Sequence, residues 1–405
     1  MSKRVRFTLI LVTSILVLYT VIGSVLGESE SSNEQTYRDL GVYSEVLSRI
    51  KSDYVTEPNL QDVTRGAIRG LLEALDPYST YFTPKEFQEY LAHPDPGPAS
   101  VGIFLSKKFG FATVVAVLPG SPADKAGIKP GDLVDRIGER PSRELSVIQL
   151  DRELAGEPGA ALDVWVVKGA RGEPQKMTLT RVIPQDAPVT AKLVGDGAGY
   201  VRVSAFDKGE AEKISEKIKE LQSQGAQRIV LDLRDCAGGS VNEAVETASL
   251  FIKSGLIAYT YGQRTPRHDI TAQPSGTVFD MPLAVLINRS TAGPAELVAD
   301  AVLCDKRGDV VGVPSFGVGV VEKTIPVGDG SGLLLSVAKY YGPDGKAIED
   351  NGVTPNVLSP TEDQAEAMEA AGQTEQPDQF GTKADIQLQK AIEVLKQKAS
   401  PTKAA

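Results

Sequence analysis

Two stretches in the C-terminal half bring reactive residue types together: Asn288-Arg289-Ser290-Thr291-Ala292-Gly293-Pro294-Ala295-Glu296 and Ser315-Phe316-Gly317-Val318-Gly319-Val320-Val321-Glu322. The hydroxyls of Ser290 and Thr291 and the thiol of Cys236 are the nucleophiles on offer, and an amine such as Lys323 is the base that would have to activate them. Histidine is nearly absent: the 405 residues contain two, His93 and His268. A Ser-His-Asp triad and a histidine-centred metal site therefore lack material. Cys236 and Cys304 are the only cysteines, which excludes a disulfide scaffold and a cysteine-built zinc site. No metal and no cofactor is expected. A Cys236–Cys304 disulfide stays open, because sequence does not supply a Cα separation.

Composition bounds the rest. The chain has 43 Lys+Arg against 53 Asp+Glu, a formal charge of −10, which argues against a nucleic-acid partner. With 41% hydrophobic and 24% charged residues it has the make-up of a folded soluble body, and 39 Gly with 25 Pro imply many turns. The length suggests two or three domains. Lys3, Arg4 and Arg6 precede an uncharged run from Phe7 to Gly27, long enough to cross a bilayer with the basic flank in the cytoplasm. Residues 1–27 read as an uncleaved signal anchor that leaves the body exported, on the periplasmic or extracellular side. A cleaved signal peptide, with Gly23, Ser24 and Gly27 near its end, is the alternative.

The elements that must position the reactive stretches follow from periodicity. After a polar linker (28–39), a helical region (40–97) shows apolar stripes at Leu40, Tyr43, Val46, Leu47 and Ile50, and at Val63, Ala67, Ile68, Leu71 and Leu72. Thr83-Pro84-Lys85-Glu86 reads as a capping box opening a further helix. Residues 98–184 change to short β-type runs, with two short helices opening at Ser121 and Ser146. Residues 185–360 alternate strands and helices, including a helix from Pro294 to Leu303 that Thr291 is expected to cap. The last segment, 361–405, is a polar tail with one helix from Asp385 to Lys398.

Pro119-Gly120-Ser121-Pro122-Ala123 through Ala126-Gly127-Ile128-Lys129-Pro130-Gly131-Asp132 resembles the PDZ signature of bacterial peptidases. The resemblance implies a groove that binds an extended C-terminal peptide by strand addition. Val101, Gly102, Ile103 and Phe104 occupy the place of the carboxylate loop and pairing strand. Val147, Leu150 and Leu154 share one helical face; Val147 and Leu150 are candidates for the groove and Leu154 for the core.

Leu75-Asp76-Pro77-Tyr78-Ser79-Thr80-Tyr81, Gly199-Tyr200-Val201-Arg202-Val203, Leu231-Asp232-Leu233-Arg234, Gly238-Gly239 and Ala338-Lys339-Tyr340-Tyr341 resemble the carboxyl-terminal processing (tail-specific) serine peptidases from about Leu40 to Pro355. That resemblance implies an α/β peptidase core of crotonase-like βα layers, an inserted mainly-β PDZ domain and a helical N-terminal region. It also implies a serine nucleophile at a helix start, a lysine base and an assisting glutamine. In register with the family motifs, the nucleophile position is Gly293, the lysine position Val318 and the glutamine position Glu322. Pro294 follows the nucleophile position, where the family uses a backbone N–H in the oxyanion hole, and proline has none. Gly238 and Gly239 are the oxyanion-region glycines. Cys236 reads as a small buried residue, and Ser290 and Thr291 as displaced from the attacking position.

The expected function is a membrane-anchored, catalytically inactive homologue that binds C-terminal tails of peptides or proteins, with an active paralogue as a further candidate partner. An active serine endopeptidase with relocated catalytic groups is one alternative. A non-binding structural scaffold is the other.

Overall fold

The computed structural model describes Thr13 and residues 37–108, 110–169, 172–183, 189–273, 276, 278–360 and 380–399. Apart from Thr13, the Phe7–Gly27 run lies outside them. Among the described residues no helix is long and apolar enough to cross a membrane. Residues up to Gly70 form one compact unit and those from Leu71 a second. The first holds a helix over 37–53 whose Leu40, Val42 and Val46 are exposed.

The second unit starts with the end of helix Leu60–Glu73 and a turn organised by Asp76. Its carboxylate accepts from the backbone N–H groups of Tyr78 (2.8 Å) and Ser79 (2.6 Å) and from Ser79 Oγ (2.9 Å). Strand Thr80–Phe82 then pairs with Gly332–Tyr341, and helix Pro84–Ala92 opens on the capping box expected at Thr83 and Glu86. Phe82 and Phe87 pack with Leu334, so this short lead-in is anchored on a sheet far away in sequence.

Ile103–Lys108, Phe111–Val117, Leu133–Ile137, Ala161–Val167 and Gln175–Thr180 form an antiparallel sheet in that order, with Arg140–Pro141 paired to Leu133–Ile137. Ser121 caps the short helix Pro122–Lys125. Ser146 and Gln149 form a reciprocal capping box on helix Val147–Leu154. The alternating apolar residues of the strands close over Leu150 and Leu154 as a separate core.

The strand–helix alternation after residue 190 yields a six-stranded sheet. Its order is Val357–Leu358, Gly308–Gly312, Leu283–Ile287, Arg228–Asp232, Ala198–Arg202, Thr190–Val194, parallel except for the last pair. Helices Glu210–Ser223, Val241–Ser249 and Pro294–Cys304 supply the apolar residues that cover one face. The other face is covered by helix Ile386–Ala399, through Leu388, Ala391, Ile392 and Leu395. The stretch read as a polar tail thus ends in a packed helix, because a stripe at i, i+3, i+4 and i+7 suffices to bury one side. A second, antiparallel sheet joins Gly332–Tyr341 to Val320–Pro326, Leu256–Tyr261 and His268–Thr271.

Candidate functional site

Strand Leu283–Ile287 runs through a tight loop into helix Pro294–Cys304, and Gly293 is the turning residue. It has φ +61° and ψ −121°, a conformation in which a side chain is strained. A Cβ there would meet no atom within 4 Å, so the space off this turn is open. The same kind of sharp strand-to-helix turn presents nucleophiles in other hydrolases. Thr291 does not cap this helix, contrary to the expectation from sequence. Its Oγ1 donates to the Leu233 carbonyl (2.8 Å) and accepts from the Asn288 N–H (3.0 Å), tying the loop to the neighbouring strand.

Glu296, one turn into the helix, is fully buried and joins this loop to the segment around Val318. Its carboxylate accepts from the N–H groups of Gly293 (2.8 Å), Gly317 (2.7 Å) and Val318 (2.9 Å), and from Ser315 Oγ (2.5 Å). Burial pushes its pKa up to about 7, although all four hydrogen bonds favour the charged form. Asn288 makes a second tie: its Oδ1 accepts from Asp235 N–H (3.1 Å) and its Nδ2 donates to Asp235 Oδ1 (2.9 Å).

The Val318 side chain is half-buried in an apolar cluster with Phe316, Ala237, Ala292, Phe104, Val115 and Ala116. The last three come from the β-domain of residues 103–180. Phe104 reaches furthest, since a Cβ on Gly238 would lie 2.3 Å from its ring. Gly239 is equally constrained, as a Cβ there would fall 2.4 Å from the Phe206 carbonyl oxygen. Gly238 and Gly239 also have φ of +81° and +96°. Gly238 and Val318 thus border one apolar cluster, which the backbone hydrogen bonds to Glu296 tie to the Gly293 turn.

Glu322 lies on Val320–Pro326, next to a cavity of about 800 Å³ lined in part by Asp76, Lys323, Lys339 and Glu349. Glu322 retains exposed surface, yet crowding by protein and the nearby Asp76 hold its carboxyl above the ordinary range. Asp151, on helix Val147–Leu154, is likewise held high by its surroundings and by Glu322. Ser106 is hydrogen-bonded to Tyr78, and the Val147 N–H donates to the Pro77 carbonyl (3.2 Å). The β-domain therefore rests on the Asp76 turn as well as on the apolar cluster.

Of the residues read as lining a peptide groove, Val101, Ile103, Val147 and Leu150 are buried. Ile103 and Leu150 belong to the β-domain core with Leu154, so the distinction drawn between Leu150 and Leu154 does not hold. Alternation along Ile103–Lys108 sends Ile103 inward and Phe104 outward onto Gly238. Gly102, at φ +78°, packs against Ser121, whose Cβ would lie 2.3 Å from an added methyl.

The model of peptidase family S41 matches residues 197–359, and that of the PDZ domain matches residues 113–166. A carboxy-terminal-processing protease of Bartonella bacilliformis is 28% identical over 336 residues, 81% of this chain and 77% of that one. The chloroplastic carboxyl-terminal-processing peptidase 2 of Arabidopsis thaliana is 30% identical over 318 residues, covering 74% of this chain and 61% of that protein. Among solved structures, the photosystem II D1 C-terminal processing protease matches with a TM-score of 0.64 at 26% identity, over 78% of this chain and 86% of that one. Residues 197–359 form a peptidase family S41 core with a PDZ domain beside it, and the chain is similar to carboxyl-terminal processing peptidases over most of its length.

The S41 core is the crotonase-like α/β layer described above, with its PDZ β-domain and N-terminal helices. Within this core, Cys236 is fully buried, and burial raises its thiol well above the ordinary range, so it is a poor nucleophile. Cys236 and Cys304 are both free thiols. Ser290 is buried, and Lys323 lines the cavity rather than the cluster around Val318. Sequence reasoning used Glu296 only to set register and missed it as the hub. The available signal was a carboxylate inside a helix whose other residues from Ala295 to Val302 are almost all apolar.

Proposed function

We propose that this S41 chain is a catalytically inactive homologue that binds peptide or protein C-terminal tails through its PDZ domain. The observation that carries the reading is the packing of Val318. Where the resemblance calls for a lysine base, a valine is half-buried among Phe104, Phe316, Ala237 and Ala292. Gly293 adds no nucleophile, and Pro294 has no N–H to offer a tetrahedral intermediate, a loss worth about 10²–10³ in rate by itself. The degenerate positions are Gly293, Pro294, Val318 and Glu322. Peptide recognition is assigned to the backbone of Val101, Gly102, Ile103 and Phe104, which pairs with an added strand, and to the Val147 end of the neighbouring helix; the Ile103 and Leu150 side chains support it from the core. The affinity is on the order of micromolar, typical of transient recognition. The Phe7–Gly27 run anchors the chain with its body exported; retention in carbonate-washed membranes supports this, and release with a new N-terminus near Glu28 refutes it.

The binding test uses an unstructured labelled peptide ending in small apolar residues, and its C-terminally amidated twin. Saturable binding of the free carboxylate, with the amide at least about tenfold weaker, supports the reading. Equal binding shows that the carboxylate loop is unused, and absence of both leaves a scaffold. Charging Ile103 would not serve as a test, since that side chain is part of the PDZ core and an unpaired carboxylate there would unfold the domain.

A further inference from the structure

The far end of the helix that begins after Gly293 carries ligand atoms for which the peptidase fold has no use here. Asp300 and Cys304 stand four residues apart on helix Pro294–Cys304, and so lie on one face of it. The turn that follows strand Gly332–Tyr341 brings Asp344 up to them. One carboxylate oxygen from each aspartate and Cys304 Sγ all lie within 4.8 Å of one another. The nucleophile position is eleven residues away along the helix, about 16 Å at 1.5 Å per residue.

An independent observation points to a missing ligand. Asp300 is 9% exposed, and its Oδ2 is buried without a hydrogen-bond partner. Buried carboxylate oxygens in folded proteins are nearly always satisfied, so an orphan calls for an explanation. Its direction is fixed by Gly342: a Cβ there would lie 1.8 Å from Asp300 Oδ2 and 3.3 Å from Asp344 Oδ1. The orphan oxygen and Asp344 therefore face the same small space, kept open by a glycine. Cys304 Sγ donates to Asp300 Oδ1 (3.7 Å) and is hydrogen-bonded by the Asp344 backbone. Beside these two carboxylates stands the cation Lys346, whose Nζ is 2.8 Å from Asp344 Oδ2.

We propose that Asp300, Cys304 and Asp344 form a zinc-binding site that ties the end of this helix to the 342–346 turn. One thiolate with two carboxylates suits a borderline divalent ion, whereas calcium and magnesium require all-oxygen sets. On binding, the Cys304 S–H bond breaks, its proton goes to solvent, and the thiolate donates to the metal. Three protein ligands leave the fourth position to water. Metal–ligand bonds of about 2.0–2.3 Å require the exposed Asp344 to close in by roughly 1 Å. The scarcity of histidine and cysteine excludes sites built from either alone and does not reach this mixed set.

The test uses full-length protein in detergent, stripped by chelator and titrated with Co²⁺, then Zn²⁺. One equivalent of Co²⁺ should produce a thiolate-to-cobalt charge-transfer band that Zn²⁺ removes. Cys304→Ser should abolish the band, and Asp300→Asn should weaken binding by about 10–100-fold. Lys346→Ala should instead tighten binding, because it frees Asp344 Oδ2. A measurement on the unsubstituted chain guards against misfolded variants: stoichiometric Zn²⁺ should slow alkylation of Cys304 at least about tenfold, while the fully buried Cys236 stays unreactive. Absence of the band, its persistence in Cys304→Ser, weaker binding in Lys346→Ala, or unchanged alkylation would each overturn the site.

Discussion

Gly293 shows how backbone and side chain separate at the residue scale. Its φ of +61° with ψ of −121° makes a sharp turn without obstruction, so a side chain added there meets strain and not a clash. Gly293→Ser is expected to fold and to be destabilised by about 1–3 kcal/mol, read from its urea midpoint. A destabilisation near zero would mean that the turn relaxes freely. Glu296 gives the chain a pH signature. Its carboxyl titrates near 7 in the fold, above the ordinary value, so the native state holds the extra proton between about pH 4.5 and 7. The stability this confers is full below about pH 4.5 and is lost as pH rises through 7, a change on the order of 3 kcal/mol at most. Glu296→Gln should flatten that fall in thermal midpoint between pH 4.5 and 7. An identical slope in the variant would place the titration elsewhere, with Glu349, also raised to about 7 by burial, as the next group to replace.

At the scale of elements, helix Ile386–Ala399 depends on one buried ionic knot. Arg234, 1% exposed, donates to Asp232 Oδ2 and to Asp385 Oδ2, both at 2.6 Å, and to Gln387 Oε1 at 3.0 Å. Tyr200 adds a 2.6 Å bond to Asp232, and the Phe380 ring lies 3.8 Å from the guanidinium. Asp385→Ala leaves that cation partly uncompensated and should cost about 3–5 kcal/mol in denaturant unfolding, against less than about 1 kcal/mol for the exposed Arg49–Asp53 pair. A loss below about 1 kcal/mol would show that Asp232 alone suffices. The helix itself was legible, since its stripe is visible in sequence. Its burial was not, because polar neighbours on the exposed face mask the side that packs. Strands Leu133–Ile137 and Leu283–Ile287 could be read from their β-branched and aliphatic runs. Strand His268–Thr271 could not, since its pairing with Leu256–Tyr261 supplies what its exposed, polar composition does not. Thr291 looked like a cap because threonine commonly is one, but the tertiary bond to Leu233 decides its role. At the site, register against a motif singled out Gly293 and Val318, and the structure ties their two segments together through Glu296. The contact of Phe104 with Gly238 joins residues over a hundred positions apart, and no local pattern carries it.

Across the whole molecule, the PDZ domain and the S41 core meet at the apolar cluster around Val318, one of the positions proposed as degenerate. Phe104, Val115 and Ala116 from one side and Ala237, Ala292, Phe316 and Val318 from the other make that junction apolar. On the proposed inactive reading, restoring chemistry demands several changes at once. Gly293→Ser alone supplies a hydroxyl without a base, and Val318→Lys alone supplies a base without a nucleophile. Pro294→Ala returns an N–H, and Glu322→Gln removes a carboxylate from the strand. Because such groups act as a unit, the four together should gain far more than the sum of the single changes. The most direct measurement is turnover of an unstructured substrate ending in small apolar residues, followed by mass spectrometry. Unsubstituted protein, each single variant and the quadruple variant are compared after their folding has been checked. The expected result is no cleavage above buffer by the unsubstituted chain or any single variant, with measurable turnover in the quadruple variant alone. Robust cleavage by the unsubstituted chain that persists in Gly293→Ala and Val318→Ala, and disappears in Cys236→Ala or Ser290→Ala, would contradict the inactive reading and make this a peptidase with a relocated nucleophile.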